Sequence, residues 1–134
     1  MAIVINGKSY DLKDIIFEIE TLGVIKEVEG YPENPEAAKF YDELSKYKEA
    51  NKENREIMLA YYAHEGVFDL ETALANLAGK DTDTIEFAQA YFSPDESLHG
   101  LNPLLRSCID WEKVWSEHLS KDFFEQGHFI FFDR

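Results

Sequence analysis

Histidine, cysteine and clustered carboxylates are the side chains best able to do chemistry near neutral pH, and here their spacing argues against it. The four histidines are His64, His99, His118 and His128. A helical zinc site needs two of them one turn apart, as in His-Glu-x-x-His, and no such pair occurs. His64-Glu65 and Glu117-His118 are adjacent pairs, and adjacent helical residues point in different directions. Cys108 is the single cysteine, so neither a zinc knuckle nor an internal disulfide can form. Its neighbours Ile109 and Trp111 predict a buried, inert thiol.

Asp81-Thr82-Asp83 invites a calcium reading, yet the loop needs a central glycine and a distal glutamate. Gly79 precedes these acids and Glu86 lies too close, so a helix cap is the expectation. The seven glycines are scattered, with no Gly-Lys-Ser/Thr or Gly-x-Gly-x-x-Gly run to cradle phosphate. Ser107, His99 and Asp110 have the residue types of a triad but none of its local context. The expectation is therefore a protein that is not an enzyme and carries no cofactor and no metal.

Charge points elsewhere. The chain has 27 acids against 13 bases, a net of −14, which bears on partners rather than on fold. Direct nucleic-acid binding and anionic membranes are disfavoured by repulsion. Between Arg55 and Arg106 the single base is Lys80, while residues 56–105 hold nine acids. The aromatic residues fall on apolar stripes, where a core role is expected. With 134 residues and 45% hydrophobic content, a sizeable core needs no staples. No signal-like segment and no run of about 18 apolar residues appears, and a cytoplasmic location is expected.

The elements that must position these acids predict an α+β fold, elongated, in three parts. Residues 1–33 form a small α/β unit: a hairpin turning at Asn6-Gly7, a helix capped by Asp11 and stopped by Gly23, and a strand over 24–28. The helix should bury Ile15, Ile16, Ile19 and Leu22. Residues 34–93 form a helical subdomain. Asn34-Pro35 opens its first helix, with Ala37, Phe40, Tyr41, Leu44 and Tyr47 as the apolar stripe. A polar break over 49–54 precedes a second helix carrying Ile57, Met58, Tyr61 and Tyr62; Tyr61-Tyr62, like Tyr91-Phe92 farther on, is expected to place one ring inward and one outward. Asp69 starts a third helix, facing Leu70, Ala73, Leu74 and Leu77 inward and ending at Gly79. Thr82 or Asp83 starts a fourth, with Ile85, Ala88, Tyr91 and Phe92. Residues 94–134 begin in a loop over 93–104. A helix follows, capped by Asp110 and burying Trp111, Val114, Trp115 and Leu119, and the chain closes with short strands turning at Gln126-Gly127.

Some of these residues resemble a known family. Ile57-Met58-Leu59-Ala60-Tyr61-Tyr62 followed by Phe68-Asp69-Leu70-Glu71-Thr72-Ala73-Leu74 is similar to the central domain of ArdA-type antirestriction proteins. Ile109-Asp110-Trp111-Glu112 with Trp115, Glu117 and Leu119 resembles that family's C-terminal helix. Asp122-Phe123-Phe124 and Gly127-His128-Phe129-Ile130-Phe131 resemble its closing strands. The resemblance covers residues 35–134; Ser116 stands where the family commonly has a basic residue, and Trp115 replaces a smaller one.

The resemblance implies a DNA mimic that inhibits a restriction-modification enzyme by occupying its basic DNA-binding groove, protecting a mobile genetic element, and that forms a homodimer. The acids expected to bind the target are Asp69, Glu71, Asp81, Asp83, Glu86, Asp95, Glu96, Glu112 and Glu117; of these, Asp69 and Asp83 could instead serve as caps. Duplex DNA shows one charge per ~1.7 Å, whereas acids every three or four helical residues give one per roughly 5 Å. Several helices, doubled in a dimer, come closer to that density. The alternative is an acidic inhibitor or immunity protein against a basic nuclease or another DNA-handling defence complex, with a compact patch and an aromatic hot spot.

Overall fold

Seven helices and two small sheets give the chain a mixed α+β architecture among the described residues. The computed structural model describes residues 2–26, 28–94 and 100–133. Two units follow each other along the chain, Met1–Leu74 and Ala75–Arg134. No helix among the described residues is long and apolar enough to cross a membrane.

The first unit opens with strands β1 (Ala2–Ile5) and β2 (Lys8–Asp11), paired antiparallel. Asn6 and Gly7 both take positive φ, as a tight hairpin turn of this kind demands. Asp11 then caps helix α1 (Leu12–Leu22) by accepting from the Lys13 amide, and Gly23 ends it in the left-handed region. Val24 to Val28 is not a strand among the described residues. Val28 packs into the core and Ile25 against it, so these two residues serve packing instead of a ladder, while Val24 is exposed. Leu22, expected inside, is exposed.

Helix α2 (Pro35–Glu49) carries Asn34 as its cap and buries Ala37, Phe40, Leu44 and Tyr47. The expected polar break shrinks to Ala50-Asn51, because the Asn51 carboxamide caps helix α3 (Lys52–Glu65) by accepting from the Asn54 amide. Both Tyr61 and Tyr62 are buried, correcting the expectation of one outward ring. Phe68 ties the core together, with its ring 6.3 Å from Phe40, 6.2 Å from Tyr47 and 6.1 Å from Tyr62. These segments from residue 5 to residue 68 share one cluster.

Helix α4 (Leu70–Asn76) buries Ala73 and leaves Leu74 exposed. Leu77 and Gly79 were expected to finish that helix. Instead they belong to strand β3 (Leu77–Lys80), which joins β4 (Phe123–Gln126) and β5 (Phe129–Phe132) in a sheet ordered β3-β5-β4. Gly79 fits this place because a Cβ there would stand 3.1 Å from both Phe87 and Thr82. Gly127 turns the β4–β5 hairpin with positive φ.

Helix α5 (Thr84–Phe92) buries Phe87 and Ala88, while Ile85 is exposed. Helix α6 (Pro103–Ser107) occupies part of the segment expected to be loop. Helix α7 (Trp111–Glu117) ends before Leu119, which is buried from a short 3-10 turn. Phe87, Ala88, Leu119, Phe123 and Ile130 form the second unit's core, with Trp111, Val114 and Trp115 packed against it. Phe87 anchors it through T-shaped contacts to Phe123 at 5.0 Å and Trp115 at 6.1 Å.

Candidate functional site

The acids singled out in the sequence divide into two groups. In the first unit they are held by lysines and backbone amides. Asp69 accepts from the Thr72 amide at 3.0 Å and stands 3.6 Å from the Lys39 ammonium. Its side chain is only 16% exposed, so it is a cap in a half-buried ion pair more than a surface charge. Glu71 is exposed, with its carboxylate 3.9 Å from the Lys46 ammonium.

Both acids neighbour one the sequence reading missed. Glu43 is 4% exposed, the charged residue of the first unit's core. One of its oxygens lies 3.0 Å from the Lys46 ammonium, and the other accepts from the Leu70 amide at 3.0 Å. Helix α2 thus supplies the carboxylate that satisfies a free amide at the start of α4. The clue was legible: Glu43 stands three residues after Phe40 and four before Tyr47, on the apolar stripe itself. Two further missed interactions stabilise the end of α2. Arg55 donates to the Tyr47 and Lys48 carbonyls at 2.9 and 2.6 Å, while its guanidinium lies 5.2 Å from the Tyr47 ring centroid. The Tyr47 hydroxyl donates to Glu20, and burial, then the Glu20 carboxylate, push its pKa well above the ordinary tyrosine value.

Asp69 makes a testable contribution to stability. Burial raises its pKa, but the Thr72 hydrogen bonds and the Lys39 and Lys46 charges together outweigh that and leave it below the ordinary value. A depressed carboxyl stabilises the fold above the unfolded pKa of about 3.9, and the contribution is lost as pH falls through the lower folded value. Asp69→Ala is expected to cost about 1–2 kcal/mol at neutral pH. Urea titrations across pH should show this difference shrinking in acid; a gap that persists at low pH contradicts the assignment.

In the second unit the acids are placed differently. Asp81, Asp83, Glu86, Glu112 and Glu117 are all exposed, as are Asp110, Asp122, Glu125 and Asp133. Among the described residues none of these nine pairs with a lysine or arginine. Asp81 takes a positive φ and lies 3.5 Å from the His128 imidazole. Asp83 caps α5 by accepting from the Glu86 amide at 2.8 Å, and Asp110 caps α7 through the Lys113 amide at 3.2 Å. Asp81, Asp83 and Glu86 therefore cluster where β3 passes into α5. Glu112 and Glu117 sit five residues apart on α7, about 140° around its axis at 3.6 residues per turn, so they edge opposite flanks of its exposed face. Asp95 and Glu96 lie outside the described residues, as does His99.

The residues considered for catalysis are engaged locally. The Ser107 hydroxyl donates to the Leu104 carbonyl at 2.6 Å, and Asp110 is a helix cap. Cys108, expected to be buried, is exposed at the end of α6, with its thiol 3.3 Å from the Leu104 carbonyl. Helix α6 buries none of its own residues, so a thiol at its end has no apolar layer to enter.

No protein-family model matches the chain, and neither a curated protein nor a solved structure shows significant similarity to it.

Proposed function

We propose that the protein is a DNA-mimic inhibitor, without catalysis of its own, that occupies the basic DNA-binding groove of a restriction-modification enzyme in the cytoplasm. One observation carries this reading: the nine described acids of the second unit are exposed, and none is neutralised by a lysine or arginine among the described residues. A basic groove that releases counterions on meeting phosphates gains in the same way from carboxylates that no lysine or arginine holds. Surface acids already held by lysines would have to give up those partners first.

The sequence resemblance to ArdA-type proteins supports the same class of target. The residues assigned to the contact are Asp81, Asp83, Glu86, Glu112 and Glu117, with Asp83 sharing its role between cap and contact, whereas Glu71 belongs to the first unit beside the Lys46 ammonium. Asp69 is set aside as a structural residue. Asp95 and Glu96 extend the acidic segment in sequence.

The test is protection of plasmid DNA from cleavage by a purified restriction-modification enzyme over a range of salt. Inhibition is expected at low salt, with the apparent Kd rising by roughly tenfold or more between about 50 and 200 mM monovalent salt. Salt-independent inhibition would point to an apolar contact instead, and cleavage unaffected at any salt would refute the proposal for that enzyme.

A further inference from the structure

In the second unit, helix α5 and the β3-β5-β4 sheet border an open groove of about 370 Å³. Its aromatic lining is Phe87, Tyr91, Phe123 and Phe132. Phe87 and Phe123 are buried and form the floor, whereas Tyr91 is 52% exposed. The Tyr91 ring centroid lies 5.8 Å from Phe123 in a T-shaped contact and 6.2 Å from Phe87. These contacts use part of the ring, and its exposed part is open to a ligand. Acids adjoin this lining. Asp81 sits between Lys80 and Thr82, which both line the groove. Asp83 precedes Phe87 by four positions and Glu86 precedes Ala90 by four, which places each one helical turn from a lining residue. Residues 78–92 carry these three acids and one base, Lys80, a net of −2.

We infer that this groove receives an arginine side chain of the protein's target, stacked on Tyr91 and paired with carboxylates at the rim. Aromatic faces attract cations through the ring quadrupole, and an anion entering here would meet three carboxylates. Arginine suits both features at once. Its guanidinium is planar, weakly hydrated and able to stack while donating to carboxylates, whereas the lysine ammonium is compact and strongly hydrated. Asp81 and Glu86 are the assigned partners, because Asp83 already accepts from the Glu86 amide as a cap. Lys80 opposes the incoming charge, so the groove binds weakly alone and serves as one contact among several. That the arginine belongs to a DNA-binding groove rests on the function proposed above; the preference for a guanidinium does not.

Proton NMR of the full chain titrated with acetyl-Gly-Arg-Gly-amide tests this. A Kd in the millimolar range is expected, with the arginine δ-methylene protons shifted upfield by ring currents and the Tyr91 ring resonances moved. The matching lysine peptide should bind about threefold more weakly, and the neutral citrulline peptide should leave the spectrum unchanged. Tyr91→Leu, and separately Asp81→Asn with Glu86→Gln, should each weaken the arginine peptide at least about threefold. These side chains are exposed, so the thermal midpoint should stay near wild type. In the plasmid-protection assay Tyr91→Leu should weaken inhibition by a similar factor. Absence of arginine-peptide shifts, citrulline binding equal to arginine, tighter binding of benzoate, or protection that Tyr91→Leu leaves unchanged overturns the inference. Arginine-peptide binding by a chain that protects no plasmid supports the groove's ligand while removing the enzyme, so the two failures are read separately.

Discussion

Replacing Asp81, Glu86, Glu112 and Glu117 together by their amides is expected to weaken inhibition by about 50-fold or more. The net charge would go from −14 to −10, and all four side chains are exposed. Individual surface charge pairs contribute about 0.2–1 kcal/mol, so four lost together come to about 2.4 kcal/mol, which is roughly 50-fold. The caps Asp69, Asp83 and Asp110 are left in place, and the thermal midpoint should therefore move by no more than a few degrees. A control with Asp14, Glu33, Asp42 and Glu49 neutralised separates position from bulk charge. All four are exposed in the first unit, and the control should lose less than about tenfold. Equal losses in the two variants would mean that net charge alone, without a defined surface, accounts for binding.

The second large effect concerns stability. Glu43→Ala is expected to destabilise the first unit by about 2–3 kcal/mol. The change removes two charge-assisted hydrogen bonds at once, each of the class that contributes about 1.5–3 kcal/mol. It leaves the Leu70 amide unmet at the start of α4 and opens space beside Leu44 and Tyr47. Lys46 is 41% exposed and can turn to water, which keeps the cost below that of a fully buried broken pair. Glu43→Gln retains an acceptor for the Leu70 amide and should cost about 1 kcal/mol less. For a unit of this size the alanine variant corresponds to a fall in midpoint of roughly 10–20 °C. Chemical denaturation of both variants checks the order; equal stability of Glu43→Ala and wild type would remove the carboxylate from the account of how α2 holds α4.

What could be read in the sequence was local. Asn6-Gly7 marked the first hairpin, Asn34-Pro35 the start of α2, and Asp11, Asp83 and Asp110 the caps that the structure shows. Each depends on residues within four positions of one another. Strand β3 was hidden because its partner β5 lies about fifty residues away, Leu77 opposite Phe131. A short apolar run ending at Gly79 looks the same whether it closes a helix or joins a distant strand. Phe87 was overlooked for a related reason, since its burial comes from Phe123 and Trp115, far along the chain.

The candidate site follows the same division. That residues 56–105 are acidic was plain, but which acids remain available depends on tertiary partners. Lys39 reaches Asp69 across thirty positions, and Lys46 approaches Glu71 across twenty-five. No such partner reaches Glu86, Glu112 or Glu117 among the described residues. Caps at Asp69 and Asp83 were foreseen as alternatives to a binding role, and the structure places both at helix starts. Glu43 could have been suspected from its place on an apolar stripe, a position where an acid survives only with partners.

The most direct test follows a fluorescent duplex held by the restriction-modification enzyme as unlabelled protein is added. Full loss of duplex anisotropy is expected at saturating protein, with the midpoint shifting in proportion to duplex concentration because the two compete for one groove. A ternary complex, with the duplex retained while the protein is bound, would contradict it.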